Sequence, residues 1–249
     1  MRSTETVSAR VWLDVWEAAA RLPAGLREAE LLRPACTAQS AEQLARLPLG
    51  QRDGLLLELR RALFGDHMQC LATCPACNER CEWSCTIASL QAPAAAVEQT
   101  AADHEWSNGS WRVRFRLPNG GDLAALRGAS DEATAARRLL ELCVLDVSQH
   151  GEPVAAEALP DDVAGGVAAA IGESDPQPAA NLSLVCPACE HEWEPDFDIG
   201  AFLWAELDAW AQRTLADVHQ LATHYGWSER DILALSPARR ARYLAMGST

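Results

Sequence analysis

Cys74-Pro75-Ala76-Cys77 recurs as Cys186-Pro187-Ala188-Cys189, and each copy runs on into a Glu-Trp pair, Glu82-Trp83 and Glu192-Trp193. Two thiolates with two residues between them can reach one tetrahedral metal, and two such knuckles complete a four-thiolate zinc shell. A shell closed in this way leaves no position for water or substrate. The pattern therefore predicts a structural clasp, with Zn2+ held by Cys74, Cys77, Cys186 and Cys189.

The knuckles stand far apart in the chain, with residues 78–185 between them. Closing a flexible loop of that length costs only about 4 kcal/mol, whereas structural zinc supplies on the order of 10–16 kcal/mol in small finger peptides. The expected arrangement is a zinc ribbon split by an insertion whose two ends the metal pins together. A second arrangement is open at this point. Cys81 and Cys85 lie close to the first knuckle, so Cys74, Cys77, Cys81 and Cys85 form a possible local site, leaving Cys186 and Cys189 to find another partner such as His191. The duplicated pattern favours the shared site. Disulfides are the weaker reading, because nine cysteines is an odd number and no secretory segment precedes them. Cys36, Cys70 and Cys143 are expected as small core residues in helical surroundings.

Composition limits the function classes. Hydrophobic residues at 49% and charged residues at 22% are ordinary for a soluble globular chain, and no apolar run reaches the length of a membrane span. Together with the lack of an apolar leader, this predicts a cytoplasmic protein. The formal charge is −14, and all 21 basic residues are arginine. An acidic surface repels phosphate backbones, which disfavours nucleic-acid binding. The absence of lysine removes a P-loop phosphate lysine, a Schiff-base lysine and a pyridoxal-phosphate anchor.

The remaining pattern is mainly helical. Residues 8–64 carry apolar residues at helical spacing, first Val11, Trp12, Val15, Trp16 and Ala19, then Leu55, Leu56, Leu59, Leu63 and Phe64, with Gly65 as a C-terminal cap. Glu82 to Ile87 reads as the returning strand of the first knuckle, and Ala92 to Ala102 as a linker. In Ser110 to Leu117, Val113, Phe115 and Leu117 alternate with Arg112, Arg114 and Arg116, the signature of a half-buried strand with an arginine-bearing outer face. Pro118-Asn119-Gly120-Gly121 reads as a turn. Helices are expected over 122–126, 131–145 and 161–171, and a strand over Leu182 to Val185. Ile199 to Tyr225 is the strongest signal, a helix of about 40 Å. Gly226 stops it, and short helices follow from Ser228 and from Ser236-Pro237. Arg239, Arg240 and Arg242 give the tail a loose likeness to a helix-turn-helix. Its apolar content instead reads as docking on the long helix or on a partner.

The run His219-Gln220-Leu221-Ala222-Thr223-His224-Tyr225-Gly226-Trp227-Ser228-Glu229, continued through Ile232 to Ser236, Arg239-Arg240 and Tyr243-Leu244, resembles the C-terminus of baseplate proteins. Asp196-Phe197-Asp198-Ile199, Phe202-Leu203-Trp204 and the paired knuckles fit the same likeness. The family is that of T4-type baseplate hub assembly chaperones, found in contractile-tail phages and in extracellular contractile injection systems. The resemblance covers residues 45–90 and 110–246. It implies a non-enzymatic role in assembling or joining the baseplate hub, with hub or spike proteins as partners, and brings no catalytic residues.

Catalytic patterns are missing: there is no His-Glu-x-x-His helix, no Gly-x-Ser-x-Gly elbow and no glycine-rich phosphate loop. His219 and His224 fall on different helix faces, and the acids Asp161-Asp162 and Glu173 to Asp175 read as solvated helix ends. The sequence thus predicts an α+β, mainly helical fold. It divides into a helical region 1–70, split ribbon knuckles 71–90 and 182–198, an inserted strand-and-helix segment 91–181, and a helical region 199–249. The predicted function is an assembly factor or minor structural part of a contractile-tail baseplate, cytoplasmic or carried in a phage-like particle. Trp204, Trp210 and Trp227 are the first candidates for partner contact, with core packing the equal alternative. The alternatives are a zinc-ribbon regulator that holds nucleic acid through the arginines of the last helix, and a metal hydrolase with an open coordination position.

Overall fold

The structure is a computed structural model that describes residues 7–91, 103–176 and 183–247. The linker predicted over 92–102 and Leu182 of the predicted strand lie outside the described residues. The protein is α+β and mainly helical, and its described residues form three small antiparallel sheets and one long helix near the C-terminal end.

Four helices come first among the described residues: α1 (Ala9–Ala20), α2 (Leu26–Leu32), α3 (Ala41–Ala45) and α4 (Leu49–Phe64). Ser8 caps α1 by accepting from the Val11 amide at 3.4 Å, and Ser40 and Gln43 form a capping box on α3. On α1 the inward residues are Trp12, Leu13, Val15 and Ala19. Val11, expected on that face, is 41% exposed, because Leu13 instead turns toward the C-terminal helices. Gly65 ends α4 at φ +90, its amide donating to Arg61.

The chain then forms a hairpin, β1 (His67–Thr73) and β2 (Arg80–Thr86), paired antiparallel from His67–Thr86 to Thr73–Arg80. The first cysteine knuckle is its turn. Strand β1 corrects the sequence reading, which carried the helical region to residue 70. Met68 and Cys70 are buried in alternation with exposed neighbours, the period of a strand, and Cys70 is a strand residue and not a helical one.

The helix Ile199–Tyr225 has the predicted bounds. Asp198 caps its start, accepting from the Ala201 amide at 3.0 Å, and Gly226 ends it in the left-handed region at φ +69. Its first half packs Ile199, Leu203 and Leu207 into a core shared with α1, α2, α4 and β1. Its second half packs Ala211, Val218 and Leu221 against Leu13 and against Ile232 and Leu233 of the tail. Two tail helices, Glu229–Leu233 and Pro237–Gly247, dock back on it. Trp227 stacks on Tyr225 at 4.7 Å and meets Tyr243 edge-on at 4.9 Å, while the Tyr225 hydroxyl donates to the Tyr243 carbonyl at 3.2 Å.

Between the knuckles lies a four-stranded antiparallel sheet of order β3 (His104–Asn108), β4 (Trp111–Phe115), β5 (Val144–Gln149) and β6 (Glu152–Pro153). A short helix, Gly120–Ala125, follows β4, and with the helices Glu132–Cys143 and Asp161–Ser174 the sheet encloses its own core of Val113, Phe115, Leu140, Val147, Val163 and Val167. Two sequence readings change here. The predicted turn at Asn119-Gly120 is a helix start, since the Asn119 side chain accepts from the amides of Gly121 and Asp122. The helix predicted to reach Leu145 ends at Cys143, and Val144–Gln149 is a strand that buries Val147 and exposes Leu145. The second knuckle is a short hairpin, β7 (Leu184–Val185) with β8 (Glu192–Trp193).

The insertion meets the helical body along one seam. Gly25 and Gly120 approach backbone to backbone, so closely that a Cβ on either would strike the other's carbonyl. The Leu49 amide donates to Pro118 at 3.0 Å, and the Gly50 amide donates to the Asp175 carboxylate at 2.8 Å. Asp175, expected as a solvated acid, is buried and serves the N-terminus of α4 from across the seam.

Candidate metal centre

Both knuckles fold into the same turn. The amide of Cys74 donates to the Glu79 carbonyl and that of Asn78 to the Cys74 carbonyl, each at 2.9 Å. In the second knuckle Cys186 donates to His191 and Glu190 to Cys186, again at 2.9 Å. The fourth residue after the first cysteine takes a positive φ in each copy, 61° at Asn78 and 59° at Glu190. This turn aims backbone N–H groups at sulfur: Glu79 donates to Cys77, Ala188 and Cys189 to Cys186, and His191 to Cys189.

The two turns bring their sulfurs face to face. Cys74 Sγ lies 3.7 Å from Cys189 Sγ, and Cys77 Sγ lies 3.6 Å from Cys186 Sγ. All four sulfurs fall within 4.8 Å of one another. A tetrahedral ion with metal–sulfur bonds of about 2.3 Å sets its ligands about 3.8 Å apart, so the spacing suits a four-sulfur shell. It is far too long for disulfides, whose sulfurs lie about 2.05 Å apart. Cys74 and Cys186 are fully buried, while Cys77 and Cys189 face outward. The cluster can hold a metal ion.

Its electrostatics favour a cation. Burial pushes the Cys186 thiol up, but the amides of Ala188 and Cys189 and the thiols of Cys77 and Cys189 outweigh this and draw it down to about 6. At Cys77 the Glu79 amide pulls downward. Hydrogen bonds with Cys189, burial, and bonds with Cys186 and Cys74 prevail and push it up to about 12. Four thiols this close share protons, and a divalent cation that takes the protons' place satisfies every sulfur at once.

The local alternative is not assembled. Cys81 is buried with its Sγ 4.0 Å from Cys186, and it donates to the Glu79 carbonyl. Cys85 lies at the far end of β2 opposite Met68, packed against the main core, with its thiol hydrogen-bonded to that of Cys70. His191 contributes a carbonyl to its knuckle, and its exposed ring stacks on Trp193 at 6.3 Å. Among the described residues, the four knuckle cysteines are the single cluster of metal-ligating side chains of this kind.

The other residues singled out in the sequence fall as follows. Trp204, Trp210 and Trp227 are half-buried in packing, Trp204 beneath the Arg27 guanidinium at 4.7 Å. Arg112 and Arg114 pair with Glu105 and Asp103, both at 3.2 Å, on the exposed face of β4. Arg116 instead grips Asp122 with two bonds of 2.6 and 2.8 Å. In the last helix Arg239 and Arg242 are exposed but Arg240 is buried, which removes the middle member of the cluster a nucleic-acid reading requires. His219 and His224 are exposed.

Sequence reasoning missed a buried carboxylate site at the seam. Asp53 is buried beside Arg52, whose Nε donates to it at 2.7 Å. Burial outweighs that pairing, and with the charges of Asp198 and Asp175 it raises the Asp53 carboxyl to about 6. Only the tertiary fold gathers these acids, so no spacing in the sequence signals them.

Residues 30–204 match the family model described as T4 bacteriophage base plate protein. No curated protein and no solved structure matches the chain. The matched span takes in both knuckles and everything between them. It stops before the run from His219 to Leu244 that carries the sequence resemblance. No described helix is long and apolar enough to cross a membrane.

Proposed function

The chain belongs to the T4 bacteriophage base plate protein family, and from that premise we propose that it is a non-enzymatic assembly factor of the base plate hub, its fold clasped by one structural zinc at Cys74, Cys77, Cys186 and Cys189. The observation that carries this reading is the family match through both knuckles and the insertion they bracket. A closed four-sulfur shell supplies rigidity and offers no position for substrate, which suits a part that holds surfaces in register. Of the described residues, 7–66 and 199–247 act as a helical body, 67–90 and 183–198 as the split ribbon, and 103–176 as an inserted domain carried on it. The hub or spike proteins of a contractile tail are its partners, and the finished particle or the host cytoplasm is its location.

The test is a tagged pull-down from the native host, with mass spectrometry of the complex and of purified mature particles. Recovery with hub or spike proteins but absence from particles is the expected result for an assembly factor. Presence in particles would make it a structural base plate part instead. Recovery with no tail protein in either fraction would overturn the reading.

A further inference from the structure

The pairing of the first hairpin fixes which backbone groups of β1 face β2. At its two ends the Ile87 amide donates to the Asp66 carbonyl and the Cys74 amide to the Glu79 carbonyl, and between them the register runs without a shift. Hydrogen-bonded and open pairs alternate along an antiparallel ladder. Met68, Cys70 and Ala72 therefore bond to β2, while His67, Gln69, Leu71 and Thr73 turn their N–H and C=O outward. Arg60 takes the His67 carbonyl at 2.7 Å. The outward groups of Gln69, Leu71 and Thr73 pair with no described residue.

Open strand edges recruit other strands, and proteins blunt them with charge, proline, bulges or shortness. This chain blunts its other edges. Strand β2 carries Arg80 and Glu82, and β3 carries Glu105. Strand β6 ends at Pro153 after 2 residues, and β7 and β8 have 2 residues each. Strand β1 has 7 residues, no bulge, and neither acid, arginine nor proline. Leu71 on it is 59% exposed.

A groove of about 760 Å3 follows this edge, lined by every residue from Gln69 to Thr73. A strand's face would present only alternate residues. Trp193, Phe197 and Phe202 line the same groove, together with the exposed acids Glu194 and Asp196. Strand β1 runs into Cys74 and the Trp193–Phe197 stretch follows Cys189, so the four-sulfur cluster joins the two walls. Only an extended main chain offers donors and acceptors at the spacing of the outward groups. The acids favour basic side chains on it, and a second copy of this chain, itself at −14, would bring the wrong sign.

We propose that an extended segment of a partner protein, alternating apolar and basic residues, adds to β1 as a third strand. Its main chain pairs with Gln69, Leu71 and Thr73, its apolar side chains meet the aromatic wall, and its basic ones meet Glu194 and Asp196. That the partner is a base plate protein rests on the reading above; the mode of binding does not.

The test titrates the full chain, labelled with 15N, with the capped peptide Lys-Val-Lys-Val-Lys-Val, with Glu-Val-Glu-Val-Glu-Val, and with the lysine peptide N-methylated at every residue. The lysine peptide is expected to slow amide hydrogen exchange at Gln69, Leu71 and Thr73 by at least about tenfold, leaving the amides of Met68, Cys70 and Ala72, already bonded to β2, unchanged. It should bind at least about tenfold more tightly than the glutamate peptide, and the N-methylated form should not bind. Leu71→Pro removes an outward N–H and no ladder bond, so it should abolish binding while keeping the circular dichroism spectrum. Glu194→Gln with Asp196→Asn, both at exposed positions, should erase the preference for lysine whether or not the proline variant folds. No protection of the three amides, or equal binding of any two of the peptides, would overturn the proposal. Slow exchange at these amides before peptide is added would mean that the edge is already covered. Sedimentation as a dimer would then assign it to a second copy, and as a monomer to the chain itself; either would overturn the proposal. None of these outcomes depends on the pull-down, so the site and the base plate role fail separately.

Discussion

Cys74 and Cys189 hold their sulfurs 3.7 Å apart although 115 positions of sequence separate them. Contact at that range across the whole insertion follows from two identical turns meeting face to face. Cobalt taken up in place of zinc would report the geometry directly, because tetrahedral and octahedral thiolate complexes absorb differently. The expected spectrum is that of tetrahedral Co2+ with intense sulfur charge-transfer bands; a weak octahedral spectrum would contradict a four-sulfur shell.

At the seam, Gly25 and Gly120 meet backbone to backbone. Gly25 also needs φ +91, a conformation that a side chain disfavours. Gly25→Ala is expected to destabilise the protein by about 2 kcal/mol or more, with Gly120→Ala comparable. Gly54, whose Cβ would meet nothing, is the control: Gly54→Ala, inside α4, should stabilise by about 0.5–1 kcal/mol. Urea denaturation of each variant measures the differences.

Asp53 gives the seam a pH dependence. Its carboxyl is raised in the folded state from 3.8 to about 6, so the folded chain binds this proton more tightly than the unfolded chain does. The contribution is fully present below the unfolded value and is lost as pH rises through about 6, a change of about 3 kcal/mol. Asp175, also raised by burial, acts in the same direction. Asp53→Asn should remove most of this slope, so that the variant gains on the wild type between about pH 4 and pH 7. Denaturation midpoints at the two pH values check it, and parallel curves for the two proteins would contradict it.

Arg60 joins three elements through one guanidinium. It holds Glu206 of the long helix at 2.9 and 2.8 Å and the carbonyls of Gly65 and His67 at 2.7 Å each. Its side chain is only 4% exposed. Arg60→Ala is expected to cost about 3–5 kcal/mol, because it strands a partly buried carboxylate and two carbonyls. Arg60→Lys should recover little of this, since an ammonium cannot reproduce the fork. Thermal unfolding of both variants is the measurement.

Where local chemistry decides structure, the sequence was a good guide. The helix from Ile199 to Tyr225 announces itself through apolar period, the Asp198 cap and the Gly226 stop, and the paired cysteines named the four sulfurs that meet. Strand β1 was hidden because Met68 and Cys70 follow a strong helical run with no breaker except Gly65. Strand β5 was hidden because Val144 and Leu145 extend the apolar pattern of the helix before them. The burial of Asp175 and Arg240 was not legible at all. Each depends on what a distant segment places against it, and a charged residue in isolation reads as solvated.

Whether one metal joins the two knuckles is decided by the metal content of the purified chain. Zinc should be measured by mass spectrometry for the wild type and for Cys74→Ser, Cys186→Ser, Cys81→Ser and Cys85→Ser. One zinc per chain is expected in the wild type, with loss of metal and of fold from a change in either knuckle and retention in the Cys81 and Cys85 variants. Zinc retained in Cys186→Ser but lost in Cys81→Ser and Cys85→Ser, or no zinc in the wild type, would contradict a shared metal.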